Sequence, residues 1–117
     1  MKTLFILNEA PYGSERSYNG LRLAGAVAKR EGEEVRIFLM GDSAACAKGN
    51  QKVPSGYYKV EDMIGMVTRR NGGGVSVCGT CMDARGITEA ELTEGTHRGN
   101  MDELTDWTLW ADKVIVF

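Results

Sequence analysis

The chain has little proline, almost no histidine, few cysteines and no long apolar run, and each scarcity closes off a class of protein. The longest opening stretch of apolar character, Thr3 to Leu7, is far too short for a membrane span or a secretory h-region. A membrane partner is therefore not expected. No charge of one sign dominates: 14 basic residues stand against 16 acidic ones, for a net charge of -2. Nothing here resembles a phosphate-binding stripe, and nucleic acid is not an expected partner. Three cysteines are an odd number for a disulfide framework, which predicts reduced thiols and a cytoplasmic protein. The single histidine, His97, leaves Cys46, Cys78 and Cys81 as its only soft co-ligands, so zinc would call for a site shared between subunits. No resident metal or cofactor is expected.

What is present is an ordinary globular balance, 43% hydrophobic and 26% charged residues in 117, enough for one core and too few residues for two. A single domain over 1–117 is expected. Thr3 to Leu7 is a continuous apolar run, the pattern of a strand buried on both faces of a parallel sheet. Pro11-Tyr12-Gly13-Ser14 is turn chemistry, and Ser14 can cap a helix carrying Tyr18, Leu21, Ala24, Val27 and Ala28 at helical spacing, with Gly32 to end it. Val35 to Met40 is a second strand, so the chain opens with a crossover unit and reads as α/β.

Ser43 to Tyr58 reads as a short helix and a long loop, Val60 to Arg70 as a helix stopped by Asn71-Gly72-Gly73-Gly74, and Val75 to Cys78 as a third strand. Ile87 to Gly99 has no clear period and reads as a short helix or irregular loop. Asn100 to Ala111 is a helix with Met101, Leu104, Trp107, Thr108 and Ala111 on one side, and Lys113 to Phe117 is a terminal strand.

The third strand runs into Val77-Cys78-Gly79-Thr80-Cys81. In open parallel sheets ligands bind at the carboxyl ends of strands, where helices begin. If a helix starts near Cys81, its unpaired N–H groups favour a thiolate, and Arg85 adds positive charge close by. Thiolate serves nucleophilic attack, metal binding and sulfur acceptance alike, so the placement predicts reactivity without choosing a reaction. Disulfide exchange of the thioredoxin kind fits the CxxC spacing. It fits the order of elements poorly, because the pair follows the third strand and neither Pro11 nor Pro54 opens a late strand. Cys46, in an alanine-rich patch, reads as a small buried hydrophobe.

With the cysteines placed at a strand end, the whole chain resembles the DsrE/DsrF-like family of small sulfur-relay proteins, most closely its YchN-type branch. The residues that carry the resemblance are Asn8 to Glu15, Leu21 to Ala24, Phe38 to Asp42, Gly49 to Lys52 with Gly56-Tyr57, Cys78 to Ile87, and Trp107 to Val114, six blocks in one order. The resemblance implies a three-layer α/β/α sandwich with a mainly parallel sheet of about five strands. It also implies assembly into a homotrimer or homohexamer, sulfur donor and acceptor proteins as partners, and a strand-end cysteine that carries a persulfide, matching Cys78.

On that resemblance, Cys78 is the expected sulfurtransferase residue. Cys81 either resolves the persulfide or supports the loop. Asn8, Glu9, Tyr12, Gly13 and Ser14 end the first strand and are candidates, with Arg85, to line the pocket on the same rim. Against this, Asn8 and Ser14 are common turn and cap residues, and Glu9 would raise the Cys78 pKa if it lay close. His97, read as part of an exposed loop, is not assigned to the site. Trp107 and Trp110 read as core or subunit interface. Three classes of function stay open: a persulfide carrier, a CxxC dithiol redox or metal-binding module, and an oligomer without catalysis.

Overall fold

A computed structural model describes residues 1–70 and 73–117. Its strands are β1 (Lys2–Leu7), β2 (Glu34–Leu39), β3 (Gly74–Cys78), β4 (Thr96–Gly99) and β5 (Lys113–Val116), and its helices α1 (Arg16–Ala28), α2 (Val60–Thr68), α3 (Gly79–Ala84) and α4 (Met101–Trp110). The strands form one sheet in the order β4-β3-β2-β1-β5, and every pairing is parallel. The α/β expectation holds. So does the apolar character of β1 and β2: Leu4, Phe5, Leu7, Ile37, Phe38 and Leu39 are all buried, though successive ones face opposite sides.

Connection handedness distributes the helices. From β1 through β2 to β3 and β4 the chain moves one way along the sheet, and right-handed crossovers put α1, α2 and α3 on a single face. The last crossover, β4 to β5, runs back across the sheet, so the same handedness places α4 on the opposite face. The core divides accordingly. On one side Phe5, Leu21, Ile37, Leu39, Ile64, Val75, Val77 and Met82 join one extensive cluster. On the other, Leu4, Phe38 and Leu104 form a small one, edged by Ile6, Met40, Cys78, Trp107 and Ala111.

Boundaries shift in ways the local chemistry explains. Ser14 does not occupy the cap position, which falls on Glu15, but its Oγ accepts the N–H of Arg16 at 3.3 Å. Helix α1 ends at Ala28, and Gly32, at φ +80°, turns the chain toward β2. The expected short helix after β2 is a 3-10 segment, Gly41–Ala47. Helix α2 ends at Thr68, and of the expected glycine-rich stop, Asn71 and Gly72 lie outside the described residues while Gly74 opens β3.

The stretch read as a short helix or irregular loop, 87–99, holds a short 3-10 helix, Glu89–Glu91, and also a strand. Thr96–Gly99 pairs with β3 in the register Val75↔Thr96 to Cys78↔Gly99 and forms the sheet edge. His97 is therefore not in a loop. Its Nε2 lies 2.7 Å from the Glu103 carboxylate on α4, and its ring meets Trp107 edge-on. Trp107 packs against Phe38, while Arg36 lies over both Trp107 and Trp110. Among the described residues no helix is long and apolar enough to cross a membrane.

Candidate functional site

Strand β3 sends successive side chains to opposite faces: Val75 and Val77 enter the large cluster, while Ser76, bonded to Glu103 of α4, and Cys78 face the α4 side. Helix α3 begins at the next residue, which makes Cys78 its N-cap. Its Sγ accepts the N–H of Cys81 at 3.4 Å, and the Thr80 hydroxyl lies 3.4 Å from the same sulfur. Burial pushes the Cys78 thiol up. Hydrogen bonds from the Cys81 thiol, the Thr80 hydroxyl and the N–H groups of Cys81 and Thr80 outweigh it, and hold Cys78 below the usual cysteine range.

Cys81 is the opposite case. Its side chain packs with the large cluster, on the other side from the Cys78 contacts, and its Sγ accepts the Gly41 N–H at 3.1 Å. Burial raises its pKa and the neighbouring Cys78 raises it further; the Gly41 N–H and the Arg85 charge oppose this without reversing it. The two sulfurs are therefore pushed apart, Cys78 toward the thiolate and Cys81 toward the thiol. Arg85 belongs to the Cys81 side. It donates to the Cys81 carbonyl at 3.0 Å and is anchored by Asp42 at 2.7 Å.

Cys78 opens into a cavity of about 470 Å³ lined by Phe38, Met40, Gly79, Thr80, Arg98 and Asn100 among others. Arg98 reaches it from the edge strand, with its guanidinium forked on Asp83 at 2.8 and 2.9 Å. The glycine between the cysteines makes room for it: a Cβ at Gly79 would stand 2.7 Å from Arg98 Nε. Asn100 caps α4 by accepting the Glu103 N–H at 2.9 Å.

The other predicted residues share the rim but not this cavity, because β2 lies between β1 and β3. Asn8 donates from its backbone N–H and from Nδ2 to the Phe117 carbonyl, at 3.0 and 3.2 Å, and ties β1 to the end of β5. The Glu9 carbonyl accepts the Ser17 hydroxyl at 2.6 Å. Tyr12 and Gly13 line a separate depression of about 440 Å³ with Lys52, Pro54, Tyr57 and Tyr58. There the Tyr12 hydroxyl donates to Gln51 at 2.5 Å and accepts the Val60 N–H at 3.2 Å. Ser14 serves the start of α1.

Sequence reasoning missed Thr80, Gly41 and Arg98. Thr80 lies between the two cysteines and could have been found as a hydroxyl two residues past a capping thiol. Arg98 depends on the register of an edge strand that the pattern did not reveal. Cys46 is fully buried, and burial pushes its thiol up to about 12, which removes it from thiolate chemistry. Among the described residues no three His, Cys, Asp or Glu side chains gather as a metal-ligand set. The arrangement can deliver a thiolate to a sulfur electrophile in the cavity, with a second thiol held behind it.

Comparison with known proteins finds similarity over the full length. The model of the DsrE/DsrF-like family matches residues 1–117. Protein YchN of Escherichia coli is 41% identical, covering 99% of this chain and 98% of that protein, and its crystal structure superposes with a TM-score of 0.91. An uncharacterized protein of Methanopyrus kandleri is 39% identical over 96% of this chain and 90% of its own length. A protein of unknown function from Methanobacterium thermoautotrophicum, at 15% identity and a TM-score of 0.69, shares the fold.

Proposed function

We propose, from the premise that this chain belongs to the DsrE/DsrF-like family, that it is a sulfur-relay protein whose Cys78 accepts sulfane sulfur as a persulfide and passes it on. The Cys78 thiolate attacks the outer sulfur of a donor. A bond forms between Sγ and that sulfur, and the donor leaves with the electron pair of the bond that breaks. Handover is the same displacement in reverse roles: an acceptor thiolate takes the outer sulfur and Cys78 leaves as thiolate. No oxidant or metal enters the balance.

The observation that carries the reading is the Cys78 sulfur itself, hydrogen-bonded by Thr80 and Cys81 and open to the cavity. The test is the mass of the peptide holding both cysteines after the reduced protein meets inorganic polysulfide, with Cys78→Ser and Cys81→Ser proteins alongside. One added sulfur at the shortest reaction times, removed by reductant and absent only from Cys78→Ser, is the expected result. Sulfur that adds equally to Cys78→Ser would overturn it.

The reading includes donor and acceptor proteins in the cytoplasm, where thiols stay reduced. It also includes assembly into trimers or hexamers. Supporting assembly, Val114 and Val116 share the thinly covered sheet face with Leu4 and Ile6 and are 41% and 61% exposed, and Leu109 on α4 is 80% exposed. A clean monomer by sedimentation at micromolar concentration would count against assembly.

A further inference from the structure

We infer that Cys81 resolves a persulfide formed on Cys78, so that the protein releases inorganic sulfide from sulfane sulfur on its own and closes a Cys78 to Cys81 disulfide. The inference rests on the carrier reading above and adds a second outcome for the loaded sulfur besides handover. Cys81 Sγ attacks Cys78 Sγ, a sulfur–sulfur bond forms between them, and the bond to the outer sulfur breaks. That sulfur leaves with the electron pair and takes up the proton that Cys81 gives up, departing as hydrosulfide. The two cysteines are oxidised by two electrons and the sulfane sulfur is reduced by two, so a single release consumes no outside reductant, and an external thiol must reopen the disulfide before another.

Placement across the sheet favours this displacement. Cys78 packs with Phe38 and Met40 and lines the cavity, whereas Cys81 packs with the cluster on the other face. An outer sulfur on Cys78 has its room in the cavity, and the attacking thiol comes from the other side. The leaving hydrosulfide then departs into a space that Arg98 lines, where its negative charge meets a guanidinium. The two sulfurs are neighbours: the side chains of Cys78 and Cys81 share a hydrogen bond, and Cys78, as the N-cap residue, hangs its sulfur over the first turn of α3, 3.4 Å from the Cys81 backbone nitrogen.

The hydrogen-bond pattern also sets the order of events. While Cys78 is a free thiolate, it takes the hydrogen bond of the Cys81 thiol, and its charge opposes ionisation of Cys81. Once Cys78 Sγ is bonded to a second sulfur, the charge moves one bond outward, into the cavity and away from Cys81. Burial still opposes a Cys81 thiolate, but the Gly41 N–H at 3.1 Å and the Arg85 charge now favour it against a negative charge that lies further off. Loading Cys78 thus arms Cys81. Nothing comparable is available to Cys46, which lies deep in the core.

The test follows intact mass and released sulfide together, without oxygen, after the protein is loaded with polysulfide and rapidly desalted, with an unloaded control. Wild type is expected to lose the added sulfur without reductant, ending two hydrogens lighter than the reduced protein, with one sulfide released per disulfide formed. Cys81→Ser is expected to hold the added sulfur at least tenfold longer and to release no sulfide. Equal persistence of the persulfide in wild type and Cys81→Ser would overturn the resolving role and leave the carrier reading standing. Failure of both proteins to take up sulfur would overturn the carrier reading and this inference with it.

Discussion

The two faces of the sheet are built from the same strands and do different work. One is covered by α1, α2 and α3 and holds most of the buried apolar side chains; the other has α4 alone, a small cluster and a cavity. The two thiols divide between them. Cys81 packs with the crowded side and holds its proton more tightly, whereas Cys78 looks out on the sparse side and releases its proton more readily. Stability is concentrated where three helices press on the sheet. Room for a reactive sulfur exists where a single helix, returning from one edge of the sheet to the other, leaves the strand ends uncovered.

The largest effect should separate the faces by stability. Phe5→Ala empties a fully buried site on the crowded side and should cost about 3–5 kcal/mol. Leu104→Ala, at the 8% exposed contact of α4, should fall near the lower end of the range for such truncations, about 2 kcal/mol. Urea denaturation checks both, and equal costs would break the contrast.

A second test uses pH on the crowded side. Cys46 is protonated in the fold up to about 12, whereas in the unfolded chain a thiol ionises near 8.5. Between those values the unfolded state binds fewer protons, so this group makes stability fall as pH rises, by up to about 1.4 kcal/mol per pH unit. Below the unfolded value the group contributes no slope. Cys46→Ala should therefore flatten the alkaline limb of the stability profile measured by denaturant titration. An unchanged slope would mean that water reaches this thiol.

The contrast between the faces was only half legible in the sequence. Apolar runs and helical spacing mark β1, β2, β3, β5, α1, α2 and α4, because burial on both faces or along one stripe writes itself into periodicity. Strand β4 left no such mark. Thr96-His97-Arg98-Gly99 is a polar edge strand, held by its ladder to β3 and by the His97 contact with Glu103 rather than by burial. The cysteine pair was visible as a spacing and the strand end as a pattern, so Cys78 could be placed. Its cavity could not, because Arg98 and Asn100 arrive there through the register of the unread strand, and β2 separates the β1 rim from it.

Smaller effects probe the sulfur directly. The Cys81 thiol contributes more to lowering the Cys78 pKa than the Thr80 hydroxyl does, so both Cys81→Ala and Thr80→Ala should move the alkylation profile of Cys78 to higher pH, Cys81→Ala further. Thr80→Ser keeps a hydroxyl and should leave the profile in place. A profile unmoved by either alanine would mean that the first turn of α3 does not hold the thiolate.

The smallest expected change in stability belongs to Gly79→Ala, and it is informative for that reason. Gly79 is buried at the first position of α3, where alanine would gain at most the roughly 1 kcal/mol of helix propensity it gains in a helix interior. Its Cβ would meet the Arg98 guanidinium at 2.7–2.9 Å, the mobile end of a long side chain, so the arginine should swing away from Asp83 at little cost to the fold. Stability should then stay within about 1 kcal/mol of wild type while the wall of the Cys78 cavity loses its positive charge. The readout is the ratio of Cys78 alkylation rates by iodoacetate and iodoacetamide, which differ in charge at similar size. Both Gly79→Ala and Arg98→Met should lower that ratio, more strongly at low salt than at high. If the ratio holds in both variants, Arg98 has no electrostatic part in the cavity, and the sparse face selects sulfur donors by shape alone.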